Sequence, residues 1–123
     1  MDVEVVEPAP VRVGVDATFA ERILHPVIEN ACRYAREHVR VTVSRGDGAV
    51  VFTVSDDGPG VAEDERLHIF DPATRGSSGR QSGSGAGLGL ALSRRLARSV
   101  TGDVELGSAS DDGGCFLVRL PAA

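Results

Sequence analysis

Apolar positions along this chain switch between two periods, and the switches mark the elements. Met1–Val6 alternates loosely until Glu7-Pro-Ala-Pro10 interrupts it as a turn, and Val11, Val13 and Val15 then predict a short period-two strand. The period next becomes helical. Ala20, Leu24, Val27, Ile28, Ala31 and Ala35 share one broad face, so a helix reaching about Glu37 or His38 should pack on a sheet. Asp16 to Thr18 offers capping chemistry at its start, with Thr18-x-x-Glu21 fitting a capping box. Two alternating runs follow, His38–Arg45 and Ala49–Asp56, and Gly46-Asp-Gly48 between them predicts a hairpin or a tightly linked strand pair. Val61–Leu67 suits a short helix. A second long helix is predicted over about Leu88 to Val100, with Leu88, Leu92 and Leu96 at four-residue spacing and Gly102 as its stop. Val104–Leu106 and Cys115–Leu120 close the chain as strands around Ser110-Asp-Asp-Gly-Gly114. Residues 1–123 show no internal repeat and no second domain, and the mixture of elements is that of an α/β fold.

Composition changes this picture in a few places. A chain of 123 residues suits a single core. Aromatic residues are only 4% of it, so that core must rest on Val, Leu, Ile and Ala. The net charge of −5 is scattered, with no basic patch, which argues against nucleic acid and against an anionic membrane surface as partners. No apolar run approaches a membrane span, and the first residues lack a signal-peptide core. Cys32 and Cys115 lie far apart without metal-ligand spacing and read as buried thiols in a reducing cytosol. Lysine is absent; every basic side chain is Arg or His. That excludes a Walker A loop, the strand lysine of eukaryote-type protein kinases and Schiff-base chemistry. Any phosphate binding must then use backbone N–H groups, Arg and a metal ion.

Three regions carry candidate chemistry. On the first helix, Pro26, Asn30, Arg33 and Tyr34 fall on one stripe beside the apolar face; an ordinary polar edge is the plain alternative. Pro26 stands out, since a proline inside a helix costs about 3 kcal/mol and removes an N–H. On the strand before the turn, Val50, Phe52, Val54 and Asp56 share the inward parity, which leaves an acid at the buried end. Gly58, Pro59 and Gly60 then turn the chain without bulk. A carboxylate floor with bare backbone beside it suits a flat heterocycle bearing an exocyclic amine, although a simple Asp-Gly turn would read the same. Residues Gly76 to Gly87 have the composition of a flexible linker, yet the apolar helix after them must return to the same core, so a mobile lid is expected. Gly85, Gly87 and Gly89 open that helix and offer bare N–H groups to phosphate oxygens. The Rossmann fingerprint fails here, because the third glycine and the leading strand are both missing. His25, His38 and His68 sit in no pattern of paired ligands and read as surface residues.

Four segments, in order, resemble the catalytic, ATP-binding domain of bacterial sensor histidine kinases: His25-Pro-Val-Ile-Glu-Asn-Ala-Cys-Arg-Tyr34, Asp56-Asp-Gly-Pro-Gly60, Ile69-Phe-Asp-Pro72 and Gly83-Ser-Gly-Ala-Gly-Leu-Gly-Leu90. The resemblance covers about Val11 to Leu120. It implies the two-layer α/β sandwich shared with gyrase, Hsp90 and MutL ATPases: a mixed, mostly antiparallel sheet with helices on one face and an ATP lid at about 71–86. By the same resemblance Asn30 would hold Mg2+, Arg33 would contact phosphate and Tyr34 would pack by the adenine. Asp56 would accept from the adenine amine, with Gly58 and Gly60 beside it. Phe70 belongs to the F-box match and Arg75 falls where a γ-phosphate arginine is common. Gly85, Gly87, Leu88 and Gly89 would surround the phosphates. Two positions depart from the family: Pro26 stands where another Asn is usual, and Ala73 where an aromatic is common.

The implied function is to bind Mg·ATP and give the γ-phosphate to a histidine on the dimerisation domain of the same protein, for onward transfer to a response regulator. No histidine here has the sequence context of that acceptor, so the expectation is a catalytic-domain fragment in the cytoplasm, cut from a kinase anchored in the inner membrane. An anti-sigma-factor-type serine kinase and a degenerate nucleotide-binding module share the pocket. A gyrase- or Hsp90-like ATPase fits less well, because it would place a base Glu where Pro26 sits.

Overall fold

The computed structural model describes residues 2–6, 12–61, 66, 68–71, 86–107 and 113–123, the side chains of 2–6 and 86–88 excepted. Among the described residues there are five strands and two long helices: β1 (Asp2–Val6), α1 (Ala17–Tyr34), β2 (His38–Gly46), β3 (Ala49–Asp56), α2 (Ala86–Ser99), β4 (Asp103–Leu106) and β5 (Cys115–Pro121). The strands form one sheet in the order β1-β2-β3-β5-β4, antiparallel except for the parallel pair β1 and β2. The expected sheet and helical layer are both present.

The hairpin of β2 and β3 forms where the sequence predicts it. Gly46 pairs with Ala49, leaving Asp47 and Gly48 as a two-residue turn with both φ angles positive, 54° and 76°. That left-handed pair matches the twist of the flanking strands, and it is why an Asp-Gly dipeptide sits there. Register then places Val39, Val41 and Val43 of β2 opposite Asp56, Val54 and Phe52 of β3. Phe116, Val118 and Leu120 of β5 continue the row, followed by Val104 and Leu106 of β4. This face is buried against α1 through Ala20, Ile23, Val27 and Ala31, and against α2 through Leu90 and Ala97. Ser44, Thr53, Ser55 and Arg119 lie on the other face, where exposure is higher.

Four expectations are corrected. Val13 makes only a single bridge, to Ala122, because Gly14 and Val15 already bend toward the helix cap; Val11 lies outside the described residues. The cap of α1 is Asp16, whose carboxylate accepts from Thr18 N at 3.1 Å, so Thr18 is already inside the helix and the capping box is not used. The helix ends at Tyr34, three to four residues early. Ala35 is extended, and the next two amides, Arg36 N and Glu37 N, are claimed by the Asp57 carboxylate at 2.7 and 3.0 Å. On α2, Leu92 is half exposed, so the four-residue leucine row is not the core row. Leu90, Ser93 and Ala97, spaced three and four, face inward instead.

The end of α2 is a Schellman cap. Gly102 N donates to Ala97 O at 2.8 Å and Thr101 N to Arg98 O at 3.2 Å. The left-handed residue is Thr101 (φ 66°) rather than the glycine. Gly102 is needed for space, since a Cβ there would lie 2.1 Å from Arg119 O. The short helix expected at Val61–Leu67 falls mostly outside the described residues, as does the expected lid at about 71–86 except its ends. Cys32 and Cys115 are both free thiols.

Candidate functional site

The site begins at the end of β3. Asp56 continues the inward parity of Val50, Phe52 and Val54, as the sequence predicts. Its Oδ1 accepts from Gly58 N at 2.8 Å and, more loosely, from Gly114 N at 3.4 Å, while Asp56 N donates to Gly114 O at 3.0 Å. These bonds fix the carboxylate with Oδ2 unengaged among the described residues. Close glycine packing makes the arrangement possible. A Cβ on Gly113 (φ 132°) would lie 1.8 Å from Asp56 O, and one on Gly114 would lie 2.9 Å from Asp56 Oδ2. Gly60 (φ 80°) passes the same loop, with Gly113 O 3.2 Å from its would-be Cβ. Cys115 is beside this carboxylate. Burial raises its thiol pKa and the Asp56 charge raises it further, so it stays protonated at neutral pH.

The α1 stripe meets this floor at one end and α2 at the other. A Cβ on Gly58 would lie 2.0 Å from Tyr34 O, so the last turn of α1 abuts the glycine turn directly. Eight residues earlier, Pro26 Cβ is 3.3 Å from where Gly89 would carry its own Cβ. The first turn of α2 is thereby seated on the middle of α1. Asn30 lies midway along the stripe, about 6 Å of helical rise from either contact. It is buried, at 6% exposure, and its amide has no hydrogen-bond partner among the described residues. Buried amides are nearly always partnered, so a complement from beyond the described residues is expected.

Arg33 is exposed and Tyr34 half-buried at the α1 end of the stripe. Phe70 is placed differently. Its ring packs edge-on against Phe116 with centroids 6.1 Å apart, and the Arg94 guanidinium lies 4.4 Å over it. Neither contact belongs to the Asn30–Asp56 group. Ile69, beside it, is fully buried in the core. Gly87, Leu88 and Gly89 lie in the first turn of α2, whereas Arg75 and Gly85 lie outside the described residues.

Two contributors escape sequence reasoning. Asp57 holds the α1–β2 connection to the end of β3. Desolvation pushes its carboxyl up, but N–H groups of Glu37, His38, Arg36 and its own residue outweigh this and hold it below the usual carboxylate range. Ser93 is fully buried and donates to Ile23 O at 2.5 Å, joining the two helices. Both partners are backbone atoms distant in sequence, so no motif announces either bond. Among the described residues no cluster of three His, Cys, Asp or Glu could hold a metal ion. A magnesium ion needs few protein ligands when phosphates supply oxygens, and the unpartnered amide of Asn30 fits that sparse donor set.

The profile of a family described as histidine kinase-, DNA gyrase B- and HSP90-like ATPase matches residues 15–123. The chain is 35% identical over 111 residues to the signal transduction histidine-protein kinase AfsQ2 of Streptomyces coelicolor, covering 90% of this chain and 21% of that protein. It is 35% identical over 120 residues to the aerobic respiration control sensor protein ArcB of Escherichia coli, covering 94% and 15%. Among solved structures, full-length ShkA in complex with AMPPNP superposes with a TM-score of 0.82 at 32% identity, covering 99% of this chain and 26% of that one. The mycobacterial sensor histidine kinase MprB superposes equally well at 26% identity, covering 98% and 83%. The chain thus spans 15% to 25% of the length of curated relatives such as these.

Proposed function

Since this chain belongs to the histidine kinase-, DNA gyrase B- and HSP90-like ATPase family, as an ATP-binding domain of the sensor histidine kinase kind, we propose that it binds Mg·ATP and donates the γ-phosphate to a histidine on a separate dimerisation domain, for onward transfer to a response regulator. The observation that carries this reading is the buried, unpartnered Asn30 amide between the Asp56 floor and the first turn of α2. The AMPPNP bound to ShkA supports an adenine nucleotide as its complement.

In this reading Asp56 Oδ2 accepts from the adenine amine, while Gly58 N and Gly114 N hold Oδ1 and keep the carboxylate from rotating. Tyr34, Gly58 and Gly60 border the base, and Phe70 is anchored on Phe116 beneath Arg94. The N–H groups of Gly87, Leu88 and Gly89, at the positive end of α2, face the phosphates, with Gly85 preceding them. Arg33 and Arg75 supply charge there, as the lysine-free composition requires. Asn30 would hold Mg2+ through its amide oxygen, and the ion would neutralise charge between the phosphates. Transfer forms a bond from phosphorus to the acceptor imidazole nitrogen and breaks the bond to the β-phosphate oxygen, releasing ADP. The protein's share is positioning and charge compensation. The base for the acceptor would come from the dimerisation domain.

A second reading rests on Pro26, whose ring fills the stripe where the family usually carries another amide: a module that binds nucleotide without transferring phosphate. Incubation with labelled ATP and a dimerisation-domain partner separates the two. Acid-labile, base-stable label on that partner supports the kinase. Nucleotide binding without label supports the module, and no binding at all refutes both.

A further inference from the structure

We propose that Ser93 is a positioning residue for the phosphate and metal end of the site, because its hydroxyl fixes the spacing between the helix that carries Asn30 and the helix start that faces the phosphates. The inference rests on the Mg·ATP reading above and adds to it a residue outside the four matched segments.

The two helices touch at two levels one helical turn apart. At the level nearer the site, Pro26 meets Gly89, where an added Cβ would lie 3.3 Å from Pro26 Cβ and would push the two helices slightly apart. At the second level, Ser93 Oγ donates to Ile23 O. Gly89 and Ser93 are four apart on α2, and Ile23 and Pro26 three apart on α1, so each pair stacks on one face of its helix. The proline explains why a hydroxyl is wanted there. Without an N–H it removes the donor for Arg22 O, and its ring crowds the preceding turn, which carries Ile23. A distorted turn has no fixed register against a neighbouring helix. Ile23 is fully buried, as is Ser93, so the bond forms away from water, where a lost partner is not replaced by solvent. One directional contact therefore sets how far α2 sits along and from α1. Asn30 lies one turn beyond Pro26, and Gly87 precedes Gly89 by two residues, so an error in that seam appears as a displaced amide relative to the helix start. Asp56, held from the opposite side by Gly58 and Gly114, lies outside this linkage.

The test compares affinity for two probes, Mg·AMPPNP and adenosine, in the intact chain. Ser93→Ala should weaken Mg·AMPPNP binding about five- to tenfold and leave adenosine within about twofold. Ser93→Thr, which keeps the hydroxyl, should restore most of the loss. If Ser93→Ala does not fold, Gly89→Ala carries the test: it should selectively weaken Mg·AMPPNP, and Pro26→Gly in the same chain, which removes the Cβ that the new side chain meets, should recover it. Equal losses for both probes, or unchanged Mg·AMPPNP affinity, would overturn the positioning role. A wild-type chain that binds neither probe would instead overturn the nucleotide reading itself.

Discussion

Asp56 was legible because two independent patterns agree on it. Strand parity sends its side chain inward, and the glycines after it remove bulk from the same place. The glycines themselves were read for too narrow a reason. Gly58 is bare because Tyr34 O fills the space a side chain would take, and Gly113 because Asp56 O does. Such requirements come from chain segments far apart, which a local turn pattern cannot show. Ile23 lies fully buried on the core face too, within an apolar stripe of α1 broad enough to be legible without it. The chemistry of Asp56 gives a direct expectation. In Asp56→Asn the oxygen would stay with Gly58 N, turning the NH2 toward the adenine amine and setting donor against donor. Mg·ATP affinity should fall about ten- to a hundredfold, the range for losing a hydrogen bond to a charged group. Calorimetric titration measures this, and a variant with wild-type affinity would remove Asp56 from the site.

At the level of elements, what was readable depended on whether the deciding residues were neighbours. The β2–β3 hairpin is set by its own turn, so the joining of the two alternating runs was readable from Gly46-Asp-Gly48. The end of α1 is set by Asp57, twenty residues further on, so helical periodicity alone carried the expectation too far. The end of α2 is a mixed case. Gly102 marked the stop, yet the left-handed position falls one residue earlier, on Thr101 (φ 66°), where a β-branched side chain is disfavoured. Thr101→Gly should therefore stabilise the fold by about 1 kcal/mol. A thermal melt should show this as a rise of about 4 °C. A lower melting temperature would mean that the threonine contributes more than its backbone costs. Its hydroxyl does reach Val100 O, the interaction that could offset the gain.

For the whole molecule, the layered α/β arrangement followed from two alternating strands and two one-sided helices. The parallel pairing of β1 was not visible, because a loosely alternating run of five residues does not specify a partner. The layers are tied by two carboxylates with lowered pKa values. Asp57 joins the α1–β2 connection to β3. Asp103 joins β4 to α2 through Arg98 at 2.9 Å and Arg94 at 3.4 Å. Burial pushes the Asp103 carboxyl up, but Arg98, Val104 N and the Arg94 charge together bring it below the ordinary value. Both groups are therefore easier to ionise in the folded state than in the unfolded one. Their contribution is fully present above the unfolded value of about 4 and is lost as pH falls through the folded values. Urea midpoints should hold steady near neutrality and drop once the pH passes below about 4. Asp103→Asn should show a shallower drop, and a wild-type midpoint flat down to pH 3 would contradict the linkage. Because Arg98 is more than half exposed while Arg94 and Asp103 are partly buried, added salt should weaken only part of the effect.

The Asp57 carboxylate has one consequence that a glance at the secondary structure would hide. Arg36 and Glu37 sit in the short link after α1, outside helix and strand alike, where backbone amides ordinarily trade their protons with solvent fast. Both are engaged by the same side chain, at 2.7 and 3.0 Å. In a deuterium-uptake experiment this link should label as slowly as the strand it precedes. Asp57→Ala should release it to the rate of an open loop while the centre of the hairpin keeps its own slow exchange.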